Sequence, residues 1–409
     1  MTERLVAILT LKVYLDNPYL KEIDANILEK SFKEDKYYFT LDRTIFYPHL
    51  AGGQPRDKGK INNINVIDVY EKDEDIVHIL EEDIEGKDVQ LSINWDNRFD
   101  LMQQHTGQHL LSSSFRSLFN AETVGFRIGE DYSTIDIQKP SLNKQEVKQV
   151  EFLTNKIIQS NFEVLSYIVK EDKLDEIPID KLPTTDEDIR IVEIMGLDYS
   201  PCCGTHVNST GEVGLVKIRK WENNKGNTRI EFLCGFRALD DYYWKNQYIN
   251  EISSIMSSQD KDLLEKSKLL INQKENLEKE NRKLKEDIYK YKGEFYLQEA
   301  TSYKDIDYIV KEVKDINLKE LGFISSYLNN NQEKLIQIYS IPNKENGQFL
   351  VNRSKDLDIN LRELLNNISK DIELKGGGSP IVVQGAASSN LLNDVILKFY
   401  TKIREYYKG

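Results

Sequence analysis

Two motifs with the same internal spacing, HTGQH at 105–109 and CCGTH at 202–206, constrain the fold more than any other feature of this 409-residue chain. Each sets two metal-ligating side chains four residues apart: His105 with His109, and Cys202 with His206. In a helix that spacing stacks both side chains on one face, a turn apart. Phe99, Met102, Leu110 and Phe115 around the first pair recur with a helical period. The second pair sits among Pro201 and Gly204 and reads as a loop. If one ion takes both pairs, a helix and a loop far apart in the chain have to meet. Three of the five histidines and two of the three cysteines fall in these motifs. Such a nitrogen and sulfur set suits zinc best. Adjacent Cys202 and Cys203 would close a small, strained disulfide ring, so a reactive thiol and plain coincidence are the other readings.

The motifs also exclude. A zinc protease needs a glutamate directly after the first histidine, and that position is Thr106. A glutamate-dependent deaminase needs H-x-E and C-x-x-C, and neither occurs. Three cysteines in this length imply a reducing compartment and no disulfide framework. No apolar run reaches the ~18–20 residues of a membrane span. The first twenty residues read as a strand, without the basic region and cleavage site of a signal peptide, so a cytoplasmic location without membrane contact is expected. A net charge of −13 excludes a basic coat, and any nucleic-acid partner must be met by a local patch. The candidate is KIRKWENNKGNTR, 217–229, with five basic residues around Trp221.

The expected class is α+β. Short β-branched and aromatic runs, broken by Gly/Pro stretches, predict a small antiparallel barrel over 1–92. Residues 93–240 mix the histidine helix, a second helix at about 142–160 and further strands, forming the domain that carries both motifs. Residues 241–298 are helical and highly charged, with Leu263, Leu270, Leu277, Leu284 and Tyr291 at every seventh position. A linker or short coiled coil, within one chain or between two copies, fits. Residues 299–409 alternate strands and helices as an α/β domain, with helices at about 316–328, 359–374 and 389–406 and a glycine-rich connector, KGGGSPIVVQGAASS. Its backbone N–H groups suggest a phosphate cradle, although the GK[ST] of a nucleotide loop is absent.

HTGQHLL paired with CCGTHV resembles the HxxxH…CxxxH signature of the editing domains of alanyl-tRNA synthetases and of their stand-alone relatives, the alanyl-tRNA editing proteins. DNPYL (16–20), LDRTIFYP, GGQPRDKG (52–59), NRFDLMQQHTGQHLL and the stretch from Thr210 to Ala238 extend the likeness. GGGSPIVVQGAA resembles the C-terminal domain that those synthetases share with DHH-type phosphoesterases. Two departures stand out: Cys203 follows the motif cysteine where the family has glycine, and YPHLAGGQP is one residue longer than usual.

The resemblance implies a long-form, stand-alone aminoacyl-tRNA deacylase, with Zn2+ held by His105, His109, Cys202 and His206 and Cys203 a bystander. Its substrate would be tRNA(Ala) mischarged with serine or glycine, and the last domain would meet the tRNA body and form a homodimer. Gln54 is a candidate for contact with the ester, Thr106 and Gln108 for lining the pocket, and Thr123 for reading the hydroxyl of serine. Arg229 and Glu231 would hold phosphate or pair with other groups. The alternatives are editing of serine on tRNA(Thr), and a noncatalytic tRNA-binding module with structural zinc.

Overall fold

Strands of period two and helices of period 3.6 alternate along the chain to give a mixed α+β protein. A computed structural model describes residues 9–49, 53–170, 173–174, 177–179 and 188–408. The chain divides into two compact units, 1–255 and 256–409. The segment 241–298, read from the sequence as one linker, crosses that boundary.

In the first unit, six strands pair in closed order: Glu22–Lys33, Lys36–Leu41, Asp75–Leu80, Ile64–Lys72, Gly59–Ile61 and Asp88–Ile93. Alternate side chains turn inward, and Phe39, Leu41, Ile61, Val69, Leu80 and Leu91 are fully buried. The start of the chain differs from expectation. Residues 1–8 lie outside the described residues; among the described residues that follow, Leu11–Lys12 is strand and Val13–Asp16 is a helical turn. That turn directs Tyr14 inward, edge-on to Tyr47 with ring centroids 5.5 Å apart.

Beside the barrel, the Trp95–Phe119 and Lys144–Ser160 helices pack with a four-stranded and a three-stranded sheet. The four-stranded sheet runs Val216–Asn224, Asn227–Cys234, Ser133–Ile137, Thr123–Ile128, and the three-stranded one Val164–Val169, Ile189–Ile194, Asp198–Pro201. Both helices are capped by asparagine. Asn94 accepts from the Asn97 amide at 3.0 Å, and Asn143 forms a capping box with Glu146. Both helices end on a left-handed asparagine, Asn120 and Asn161, at φ of 51° and 52°.

In the second unit, the 36-residue helix Leu263–Gln298 precedes a mixed six-stranded sheet with helices Leu318–Asn331, Leu361–Ile368 and Leu392–Tyr406. Of the heptad positions Leu263 is buried, whereas Leu270, Leu277, Leu284 and Tyr291 are exposed. The expected glycine-rich connector is instead two paired strands, Leu374–Gly378 and Val382–Ser388, and the helix expected to reach 374 ends at Ile368. Glycine is required there by close packing. A Cβ on Gly385 would lie 2.4 Å from the Lys375 carbonyl and 2.6 Å from the Phe349 ring. The glycine strand pairs on one side with Val382–Ser388 and forms the edge of the sheet. Among the described residues no helix is long and apolar enough to cross a membrane.

Candidate metal centre

The Trp95–Phe119 helix is held against the barrel by a buried ion pair. Arg98, with no exposed surface, donates Nε to Asp57 Oδ1 at 2.9 Å and Nη2 to Asp57 Oδ2. Its remaining donors reach the carbonyls of Pro18 and Ile45 at 2.7 and 2.6 Å. Asp57 also accepts from the Tyr47 amide at 2.6 Å, which ties Tyr47 to the same pair. Two turns past Arg98, His105 and His109 project side by side with ring centroids 5.3 Å apart. Gly107 between them lets the helix rest on the Asn227–Cys234 strand; a Cβ there would lie 2.2 Å from Cys234 Sγ.

The second motif follows the Asp198–Pro201 strand as a loop. Arg190 shapes it, donating Nη1 to the carbonyls of Cys202 and Gly204 at 2.8 and 3.0 Å. Gly204 presses on His105 so closely that a Cβ would lie 2.1 Å from Cε1. Helix and loop therefore meet, and one ligand atom each from His105, His109, Cys202 and His206 lies within 4.8 Å of the others.

The hydrogen bonds at the far side of each imidazole assign its nitrogens. Cys202 Sγ is 3.4 Å from His105 Nε2 and 3.3 Å from His206 Nε2. His105 Nδ1 faces Gln54 Oε1 at 2.8 Å, His109 Nδ1 faces Asp198 Oδ2 at 3.1 Å, and His206 Nδ1 faces Thr106 Oγ1 at 3.1 Å. With Nδ1 the donor in each case, the three Nε2 atoms are left as ligands. Among the described residues His109 Nε2 is buried and has no hydrogen-bond partner. Three imidazole nitrogens, one of them unsatisfied, and one thiolate suit zinc.

The four groups are electrostatically coupled. Burial alone would push the Cys202 thiol up, but the imidazoles of His105 and His206 hold it well below its ordinary value. Burial opposes protonation of His109 too, yet the Asp198 carboxylate and Cys202 raise it to about 10. Burial pushes His206 down to about 3. Cys203 is exposed and stands outside the cluster.

Gln54 is 1% exposed. Gln54 Nε2 donates to Thr205 Oγ1 at 2.8 Å, and Oε1 accepts from the Thr205 amide at 3.0 Å as well as facing His105. Gly53, at φ +85°, accepts from the Ile128 amide at 2.9 Å. Residues 50–52, which precede it, lie outside the described residues. Thr106 is fully buried and also accepts from the Val207 amide at 3.2 Å. Gln108 donates to Ser112 Oγ at 2.9 Å, which lies 2.6 Å from Thr123 Oγ1; among the described residues neither Gln108 nor Thr123 hydrogen-bonds a cluster ligand. Arg229 pairs with Asp136 through Nε and Nη2 at 2.8 and 2.7 Å.

Other basic residues of the 217–229 hairpin are engaged as well. Lys217 pairs with Glu151, Arg219 with Asp241 and Lys220 with Glu222. Sequence reasoning missed Asp198, Arg190, the Arg98–Asp57 pair and Phe126. The Phe126 ring stacks on His105 with centroids 5.2 Å apart, and the residue lines a cleft of about 560 Å³. The position of Asp198 four residues before Cys202 was the available signal for it.

Residues 189–231 match the family described as the threonyl and alanyl tRNA synthetase second additional domain. The chain is 33% identical over 394 residues to the alanyl-tRNA editing protein AlaX-L of Pyrococcus horikoshii, covering 91% of this chain and 94% of that protein. It is 32% identical over 260 residues to the alanyl-tRNA editing protein Aarsd1 of Mus musculus, 62% of each chain. Over 384 residues it is 28% identical to the alanine–tRNA ligase of Methanobrevibacter smithii, covering 90% of this chain and 42% of that one.

Proposed function

This chain belongs to the alanyl-tRNA editing proteins, and from that premise we propose that it is a zinc-dependent deacylase hydrolysing, in trans, the ester between serine or glycine and tRNA(Ala). The observation that carries the zinc assignment is the oriented donor set, three Nε2 atoms and Cys202 Sγ with every Nδ1 held from behind. The need for such an enzyme is physical. A synthetase pocket sized for alanine cannot sterically exclude glycine, and serine adds only a hydroxyl.

His105, His109, Cys202 and His206 would hold the ion. When bound, zinc supplies a Lewis acid for a carbonyl or water, or a fixed charge that positions the substrate. Gln54, Asp198 and Thr106 act through the histidines, fixing tautomer and ring direction. The cleft walled by Phe126 is the approach we assign to the aminoacyl end. Thr123, with the Ser112 and Gln108 groups behind it, is the one we assign to the serine hydroxyl. The exposed heptad stripe on Leu263–Gln298 supports pairing of two copies.

The test is single-turnover deacylation of seryl-, glycyl- and alanyl-tRNA(Ala), with seryl-tRNA(Thr) alongside, by wild type and Cys202→Ala, with bound zinc quantified. Rapid loss of serine or glycine from tRNA(Ala), sparing of alanine, and loss of both zinc and activity in the variant are expected. Zinc-loaded protein that binds tRNA but cleaves none of these esters would make the centre structural. Preferential cleavage of seryl-tRNA(Thr) would move the substrate assignment.

A further inference from the structure

The metal centre has a support besides the groups behind its imidazoles, and it acts on the sulfur. Arg190 lies on the Ile189–Ile194 strand, which pairs with Asp198–Pro201 and so runs beside the cysteine loop. It brackets Cys202 through both backbone groups. The Arg190 carbonyl accepts from the Cys202 amide at 3.1 Å, and Nη1 donates to the Cys202 carbonyl at 2.8 Å. Nη1 also reaches the Gly204 carbonyl at 3.0 Å, and Nη2 donates at 3.1 Å to the carbonyl of Leu15, in the Val13–Asp16 turn. Each of these side-chain bonds goes to a carbonyl, so the guanidinium serves as a planar fork that fixes several acceptors in set directions. An ammonium, a point charge on a flexible stem, does not do this.

Gly204 shows what the fork holds. Its carbonyl is gripped by Arg190, and the amide at the other end of the same peptide plane, on Thr205, donates to Gln54 Oε1 at 3.0 Å. A planar peptide held at both ends cannot turn. The Gly204 N–H is thereby kept on Cys202 Sγ, 3.4 Å away. The remaining side of Gly204 is closed, since a Cβ would lie 2.1 Å from His105 Cε1. A thiolate that accepts an N–H bond has less charge to donate to a metal.

We propose that Arg190 is a positioning residue for the thiolate: through the Cys202 and Gly204 carbonyls it holds the Gly204 amide on Sγ, and so sets how strongly Cys202 donates to a bound ion. The shape of the guanidinium, and not its charge alone, carries this role. The proposal rests on the zinc-deacylase reading for the identity of the ion.

The experiment loads the full-length chain with Co2+ in place of zinc and reads the sulfur-to-cobalt charge-transfer band in the near ultraviolet. Arg190→Met should move that band to lower energy and weaken zinc binding about tenfold in chelator competition. Arg190→Lys, which keeps the charge and loses the fork, should move the band in the same direction. Asp198→Ala, which acts on an imidazole, should lose affinity and leave the band in place. Tryptophan fluorescence in denaturant reads the fold of the first unit, to which Arg190 belongs. Arg190→Lys carries the test if Arg190→Met does not fold. A band unmoved in the folded Arg190 variants, full restoration by lysine, an equal shift in Asp198→Ala, or failure of the wild type to take up cobalt would each overturn the proposal. The expected shifts in a protein that deacylates no mischarged tRNA would defeat the deacylase reading and leave this one standing.

Discussion

Gln54 Oε1 lies 2.8 Å from His105 Nδ1 and joins the barrel loop to the histidine helix through a single side-chain amide. The same amide is tied to Thr205 through both of its ends, so it cannot turn away without breaking several hydrogen bonds. Gln54→Ala is therefore expected to weaken zinc binding about 10–100-fold, measured by competition with a chelator of known affinity. Loss of deacylation with zinc affinity intact would instead assign Gln54 to the substrate.

Asp198 plays the corresponding part for His109, reinforced by Ser200 at 2.7 Å. Asp198→Ala should also reduce zinc affinity by about 10–100-fold. Cys203→Ser should leave one zinc per chain and unchanged deacylation, since Cys203 is exposed and outside the cluster. Metal analysis of the two purified variants separates these outcomes.

The Arg98–Asp57 pair is fully buried. Asp57→Ala leaves a guanidinium without its carboxylate, which costs about 3–5 kcal/mol. All three tryptophans, Trp95, Trp221 and Trp244, lie within residues 1–255. Denaturant titration followed by tryptophan fluorescence therefore reads this loss in the first unit alone. A midpoint equal to that of the wild type would show that the pair does not hold barrel and helix together.

His78 gives the barrel a pH dependence. It is fully buried, 2.8 Å from Thr44 Oγ1, and burial pushes its pKa down to about 4 from 6.5. The unfolded chain then binds a proton more readily than the folded one. Stability from this residue is complete above about pH 6.5, falls as the pH drops toward 4, and levels off below; the full difference is about 3 kcal/mol. Against His78→Gln, the stability advantage of the wild type should shrink between pH 7 and pH 5. A constant difference across that range would show that His78 is not kept neutral.

The four cluster residues were legible because their chemistry is carried by residue type and by a spacing that a helix turns into proximity. What holds them was not. Asp198, Gln54 and Thr106 are ordinary polar residues in the sequence, and only the meeting of three separate segments turns each into a partner for an imidazole. A glycine-rich stretch does not show from its letters why the glycines are there, and Gly53 and Gly385 both lie where backbone and rings approach too closely for a side chain. Charge in a sequence carries no record of its partners, and Arg229 has Asp136 opposite it across the sheet. The heptad was readable as a period, but a period in one helix does not name what lies against it.

The contact between Gly107 and Cys234 bears on how such a chain can change over generations. Any side chain at 107 would collide with the sulfur, and the helix cannot retreat without carrying His105 and His109 with it. Alanine at 107 becomes tolerable only in a lineage that has already replaced Cys234 with something smaller. The two sites are thus inherited as a couple: drift at 234 opens a door at 107, and drift at 107 alone is a dead end.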